Sequence, residues 1–306
     1  MKRRNFIKAG AVAATIPAIT PLGAKGRIGV REPKFNMKFA PHTGMFENLA
    51  GKDPIDQIKF MADQGFTAFE DNYLKDREPA MQSKIGETLA KLNMEMGVFV
   101  GGRIKTKDKK PGLVLKDEAI RTEFLGRIKD SIEASKRVNA RWMTVLPGYS
   151  NGKQEIGYQT VNIIEILKRA AELLEPHNLT MVLEPLNFYN HPDLFLTKIS
   201  QTYEICKAVD SPTCKILFDI YHQQIQEGNL IPNMELSWEE IGYFQIGDNP
   251  GRKEPTTGEI NYKNIFKYIH EKGFTGILGM EHRNFSEGAA GERAVIKAYR
   301  EVDVQL

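Results

Sequence analysis

The sequence predicts an α/β chain folded as one parallel (β/α)8 TIM barrel over residues 36–303, and three observations lead there. Short apolar runs alternate with amphipathic helical stretches eight times along the chain. The runs are apolar at successive positions, as strands covered on both faces require. No low-complexity linker or charge block divides residues 36–303, and 306 residues suit a barrel, which needs about 250. A doubly wound open sheet is the competing fold. It would carry a glycine-rich first turn, and no G-x-G-x-x-G is present.

Residues 37–42 form the first strand. Asp53 caps a helix over 54–64, with Pro54 just inside its start. Residues 66–71 are the second strand, followed by a helix near 80–92. The third strand is 94–101, and a Lys-rich loop at 103–112 leads to a helix over 117–138. Strand four is 142–147. A loop at 148–157 precedes a helix over 158–176. Strand five is 179–184, its helix 194–209, and strand six 215–219. Residues 221–240 hold short helices. Strands seven and eight are 241–247 and 276–281, with helices over 262–272 and 287–301. Gly65 and Gly273 sit just past helices, where a left-handed residue ends the turn.

Hydrophobic residues at 41% and charged residues at 26% allow a sizeable core and argue against disorder. No apolar run approaches the roughly 20 residues of a membrane span. The formal charge of +3 is set by the N-terminus: Lys2, Arg3, Arg4, Lys8, Lys25 and Arg27 give +6 with no acid, so the remainder carries −3. A mildly acidic body is not a phosphate-backbone binder, so no nucleic-acid partner is expected. Cys206 and Cys214 make no Cys-x-x-Cys motif. They read as two buried free thiols, in preference to the bridge that an oxidising compartment would permit.

Residues 1–24 read as an address. Arg3-Arg4-Asn5-Phe6-Ile7-Lys8 precedes a mild apolar run from Ala9 to Ile19, which resembles a twin-arginine export signal. The expected partner is the twin-arginine export machinery and the expected location periplasmic. Leu22-Gly23-Ala24 only half fits a small-x-small cleavage site, and an uncleaved signal would leave the chain anchored.

Catalytic residues of a parallel barrel sit at the C-terminal ends of its strands. Strand five ends at Glu184, strand six at Asp219 and strand eight at Glu281, and strand seven carries Gln245. Apolar residues immediately precede all four. Such groups are costly in a dry interior unless they are paired or bound to a metal. Three carboxylates and an amide oxygen form a hard oxygen cage, suited to a divalent metal ion, Mn²⁺ or Mg²⁺. Glu70 and His42, near the ends of strands two and one, are further candidates for the barrel mouth. Tyr73, Phe99 and Phe188 are candidates for its walls, although packing is the commoner role of such aromatics. Glu259 reads as a loop-ordering carboxylate.

Glu184 in Leu-Glu-Pro-Leu-Asn, Asp219 in Phe-Asp-Ile-Tyr-His and the late Glu281 are arranged as in the xylose-isomerase-like barrel family. Gln245 followed by Asp248-Asn249-Pro250-Gly251-Arg252-Lys253-Glu254-Pro255 and Thr257-Gly258-Glu259-Ile260-Asn261 resembles the hydroxypyruvate isomerase branch of that family. The likeness runs over about residues 37–302. It implies that Glu184 and Glu281 are the acid/base pair and also ligands, in a metal shell of Glu184, Asp219, Gln245 and Glu281. It implies that His222 and Arg252 hold the substrate. The implied reaction interconverts hydroxypyruvate and 2-hydroxy-3-oxopropanoate by enediolate proton transfer, and a periplasmic isomerase or epimerase of a larger ketose is the alternative. The expected partner is a small hydroxy-carbonyl or sugar substrate. Metal-dependent DNA repair on this fold would need a histidine-rich zinc cluster, and the chain has six histidines in all. A sugar-binding protein without catalysis would not need the Glu184/Glu281 pair.

If residues 1–24 are an export signal, replacing Arg3 and Arg4 with lysine will retain the chain in the cytoplasm, whereas the unaltered chain leaves it. Cell fractionation of the two forms measures this. Equal cytoplasmic retention of both would show that the N-terminus is no export signal.

Overall fold

Eight strand positions close into a ring, and one of them is split in two. A computed structural model describes residues 32–104 and 110–305. The export motif therefore lies outside the described residues, as does the middle of the Lys-rich loop. The strands are β1 (Lys38–Pro41), β2 (Ala68–Phe69), β3 (Glu95–Met96), β4 (Val100–Arg103), β5 (Trp142–Leu146), β6 (Thr180–Leu183), β7 (Cys214–Asp219), β8 (Ile241–Gln245) and β9 (Ile277–Met280). The helices are α1 (Glu47–Ala50), α2 (Pro54–Asp63), α3 (Pro79–Leu92), α4 (Glu118–Val138), α5 (Ile156–Leu174), α6 (Ile199–Val209), α7 (Ile220–Gln226), α8 (Leu230–Ser237), α9 (Tyr262–Glu271) and α10 (Gly288–Val302).

Seven strands form one sheet in the order β1-β9-β8-β7-β6-β5-β4, and each adjacent pair is parallel. β2 and β3 pair separately. Two hydrogen bonds join β2 to β1, from Glu70 N to Pro41 O at 3.0 Å and from Thr43 N to Glu70 O at 3.3 Å. The chain then passes from β3 through Gly97-Val98-Phe99 into β4, which closes the barrel. The single third strand expected from the sequence is thus two segments. Its first part pairs with β2 and its second with β5. Phe99 still serves the ladder, accepting from Thr144 N at 2.9 Å.

Local chemistry sets the helix ends. Asp53 accepts from Ile55 N at 2.8 Å and Pro54 opens α2. Asn93, Asn139 and Asp210 end α3, α4 and α6 with positive φ. Gly65 follows α2 at φ 89°, and a Cβ there would lie 2.2 Å from Pro33 O. The sequence expected a helix from residue 194. It begins at Ile199 because Leu194 bridges Tyr149 and Phe195 N donates to Gly148 O at 3.0 Å. Cys206 and Cys214 are free and buried.

Two layers of apolar packing support the mouth of the barrel. The larger lies between strands and helices. The smaller fills the barrel interior with Ala40, Ala68, Val98, Val182, Leu217, Tyr243 and Ile277. Side chains alternate along a strand, so residues two apart share a face. His42, Glu70, Glu184, Asp219 and Gln245 each stand two positions beyond a member of that inner cluster. Glu281 stands four beyond Ile277. One inward face therefore has an apolar floor and a polar rim at the strands' C-terminal ends.

Candidate active site

Asp219 and Gln245 are register partners across β7 and β8, with Glu184 just beyond β6 and Glu281 just beyond β9. Burial lifts the carboxyl groups of Glu184 and Glu281 above the usual carboxylate range. The charge of Glu281 and then of Asp219 adds to the effect at Glu184. Asn72 Nδ2 donates to Glu281 Oε1 at 3.1 Å. Asp219 is shared by two groups: Oδ1 accepts from His222 N at 3.2 Å and caps α7, and Oδ2 accepts from Arg252 Nη2 at 2.7 Å.

Arg252 is delivered by a loop wound around the buried Asp248 carboxylate. Asp248 accepts from Asn249 N at 2.9 Å, Gly258 N at 2.9 Å and Ile260 N at 3.1 Å. Gly258 is required, since a Cβ there would lie 2.2 Å from Asn249 O. Glu259 accepts from Asn249 Nδ2 at 2.6 Å and Gln224 Nε2 at 3.2 Å, which ties the loop to α7. Arg252 Nη2 also lies 3.0 Å from Glu281 Oε2, but off the hydrogen-bond direction, so that oxygen accepts no hydrogen bond. Burial opposes the charge on Arg252. The combined pull of Glu281, Asp219 and Glu184 outweighs it and holds the guanidinium protonated.

The tautomer of His222 follows from its neighbours. Asn190 N donates to Asn187 Oδ1 at 3.0 Å, which turns the Asn187 amide nitrogen toward the ring. Asn187 Nδ2 lies 2.6 Å from His222 Nδ1, and Asn187 N donates to the same atom at 3.3 Å. Nδ1 is thus the acceptor. Burial lowers the pKa of His222 to about 3, so the ring is neutral and its proton sits on Nε2. Nε2 has no hydrogen-bond partner and faces Asp219 Oδ2 at 3.7 Å and Glu184 Oε1 at 3.9 Å. Glu184, Asp219 and His222 offer atoms within 4.8 Å of one another, a spacing that would suit a metal. With its proton on Nε2, His222 is a donor toward Glu184 and Asp219, whose carboxylate oxygens are the acceptors of that cluster.

Other expected residues are placed differently. Glu70 is fully buried and does not line the cleft. Its carboxylate accepts from Tyr243 OH and from Gln245 Nε2, each at 2.9 Å. The sequence expected it among the substrate-binding residues at the mouth; here it is buried against the side chains of β8. His42 lines the cleft, but both ring nitrogens face carbonyls, Thr43 O at 2.8 Å and His282 O at 3.1 Å. Phe99 belongs to the core, whereas Tyr73 lines the cleft. The cleft has a volume of about 520 Å³, and Asn72, Asn190, His191 and Arg283 also reach it. Asn187 stands in the Leu-Glu-Pro-Leu-Asn motif but carried no signal for its role. Its partner His222 is 35 positions away.

Residues 58–302 match the xylose isomerase-like TIM barrel family. The chain belongs to that family. It is 36% identical over 146 residues to hydroxypyruvate isomerase of Escherichia coli K12, a match covering 46% of this chain and 57% of that protein's length. It is 29% identical over 237 residues to 2-oxo-tetronate isomerase of Pectobacterium atrosepticum, covering 74% of this chain and 86% of that one. A crystal structure described as an AP endonuclease of family 2 from Brucella melitensis superposes with a TM-score of 0.73 at 23% identity. It covers 83% of this chain and 96% of that one, and the likeness is one of fold.

His222 will stay neutral between pH 8 and pH 5, because burial holds its pKa to about 3. In ¹⁵N-labelled, metal-free chain, the Nδ1 resonance will have the position of an unprotonated acceptor and Nε2 that of N–H. Titration near the ordinary histidine value of about 6.5 would contradict the arrangement.

Proposed function

We propose that this chain is an isomerase, dependent on a divalent cation, that interconverts hydroxypyruvate and 2-hydroxy-3-oxopropanoate. The observation that carries the reading is the pair Glu184 and Glu281. Both carboxyls are buried with raised pKa, they flank Asp219 and Gln245 at successive strand ends, and Glu281 lines the cleft.

The donor set fits a hard cation. Gln245 Oε1 and Glu281 Oε2 are buried oxygens that accept no hydrogen bond, and the neighbouring carboxylates repel one another. Glu184, Asp219, Gln245 and Glu281 are the residues that would hold it. When bound, Mn²⁺ or Mg²⁺ supplies positive charge that offsets the charge developing on an enediolate.

The protein's own groups account for the rest of the chemistry. Isomerising an α-hydroxy carbonyl removes a proton from one carbon and returns it to the next. Of Glu184 and Glu281, one takes the proton as a base and the other gives one as an acid. A carboxyl raised toward neutrality can hold a proton in one step and release it in the next. His222 Nε2–H donates to a substrate oxygen, and its neutral ring keeps the direction of that donation fixed. Arg252, held over Asp219 and Glu281, sets the negative end of the substrate. A four-carbon acid of the 2-oxo-tetronate kind is the second reading. The relative matched over 86% of its length favours it. A periplasmic place of action belongs to this proposal through residues 1–24.

Glu184→Gln and Glu281→Gln keep the side-chain shape and one oxygen but remove the base. Each will lose at least about 10²-fold in exchange of the substrate's carbon-bound proton with D₂O. The double variant will lose less than the product, since two groups serving one transfer fail together. Metal content is measured on the same samples. Near-normal exchange in a metal-replete variant would remove that residue from the chemistry, and a loss that follows metal loss alone would leave it only a ligand. Exchange on 2-oxo-tetronate without exchange on hydroxypyruvate would select the second reading.

A further inference from the structure

Behind the cleft lies a polar chain whose members do not line it. Glu70 is buried at the end of β2. Its Oε2 accepts from Tyr243 OH and its Oε1 from Gln245 Nε2. Tyr243 OH itself lies 3.4 Å from Val98 N, which donates to it. The phenol proton is thereby directed at residue 70. The barrel gives up side chains at two positions to make room, one in β9 and one in the link between β3 and β4. A Cβ on Gly279 would lie 1.9 Å from Glu70 Oε2, and one on Gly97 would lie 2.4 Å from Tyr243 OH.

An amide has two faces of opposite polarity and nearly equal shape. Gln245 serves a cation only if its oxygen points into the site; its NH₂ would repel one. The contact with Glu70 occupies the NH₂, and Gln245 Oε1 is left buried with no partner. We propose that Glu70 is a positioning residue, which fixes the amide of Gln245 so that Oε1 faces the cation. The inference rests on the cation site of the preceding subsection. It assigns Glu70 no contact with substrate and no proton transfer.

The polarity of the chain makes a specific demand on variants. Tyr243 OH donates to residue 70, so in Glu70→Gln the new carbonyl oxygen turns to Tyr243 and the new NH₂ turns to Gln245. Gln245 must then accept with Oε1 and present its own NH₂ to the site. Adding Gln245→Glu restores an acceptor on both sides. One oxygen of the new glutamate accepts from the amide introduced at position 70, and the other faces the cation. The double exchange keeps both the total charge and the side-chain sizes.

The test is calorimetric titration of Mn²⁺ into the full metal-free chain, with the thermal melt of each form recorded. Glu70→Gln will weaken Mn²⁺ binding by about 10- to 100-fold, the usual cost of removing a group that orients a ligand, and Glu70→Gln/Gln245→Glu will return it to within about threefold of the parent. A residue that only filled space would leave the isosteric Glu70→Gln at the parent's affinity. Unchanged affinity in folded Glu70→Gln, or a loss that the second exchange fails to restore, would overturn the proposal. If Glu70→Gln does not fold, the double variant decides: parental affinity supports the proposal and weak binding overturns it. Absence of Mn²⁺ binding by the parent would overturn the cation site and this proposal with it.

Discussion

Repulsion among carboxylates gathered under one barrel mouth is the constraint on which the rest of this structure depends. Glu184, Asp219 and Glu281 gather at the strands' C-terminal ends with Glu70 close by, and burial raises the carboxyl groups of Glu70, Glu184 and Glu281. Isolated buried charges of this kind cost several kcal/mol each, even after relaxation. The fold meets that cost locally. Arg252 binds Asp219 and stands beside Glu281, Asn72 donates to Glu281, and Tyr243 and Gln245 donate to Glu70. Asp219 uses its other oxygen at the start of α7. Among the buried oxygens left without a hydrogen bond are Gln245 Oε1 and Glu281 Oε2, the latter beside the Arg252 guanidinium.

The same constraint explains features that look unrelated to it. The loop that supplies Arg252 is built around its own buried acid, Asp248, three of whose hydrogen bonds come from backbone N–H groups. A guanidinium is useful over the site only if its backbone does not wander, and the Asp248 bonds supply that rigidity. Glycines at 97 and 279 leave space for the buried chain from Tyr243 to Gln245. The Asn190–Asn187–His222 chain keeps a neutral donor pointed at the carboxylates, where a charged ring would bind them and occupy the site.

Much of this was legible in the sequence because barrel geometry and strand periodicity are strong rules. An acid that follows an apolar strand with the right alternation faces inward, so Glu184, Asp219, Gln245 and Glu281 could be placed at one mouth before any coordinates. The alternation that identifies a facing residue does not give its depth. Glu70 shares the inward face with the others, but β2 is only two residues long and its carboxylate occupies the space left by Gly279, behind the cleft. His42 was likewise placed at the mouth. Its bonds to two backbone carbonyls, one of them 240 positions away, depend on tertiary approach. Asn187 was invisible for the same reason. The break between β3 and β4 reflects a change of partner, which a run of apolar residues does not record.

The most direct test of the account is where a cation sits. Crystals of the full chain grown with Mn²⁺, and measured at a wavelength that makes manganese scatter anomalously, would locate it without assumption. The account predicts one strong peak within bonding distance of oxygens from Glu184, Asp219, Gln245 and Glu281, with His222 Nε2 outside the shell. A peak ligated by His222, or no peak at the mouth of the barrel, would contradict it.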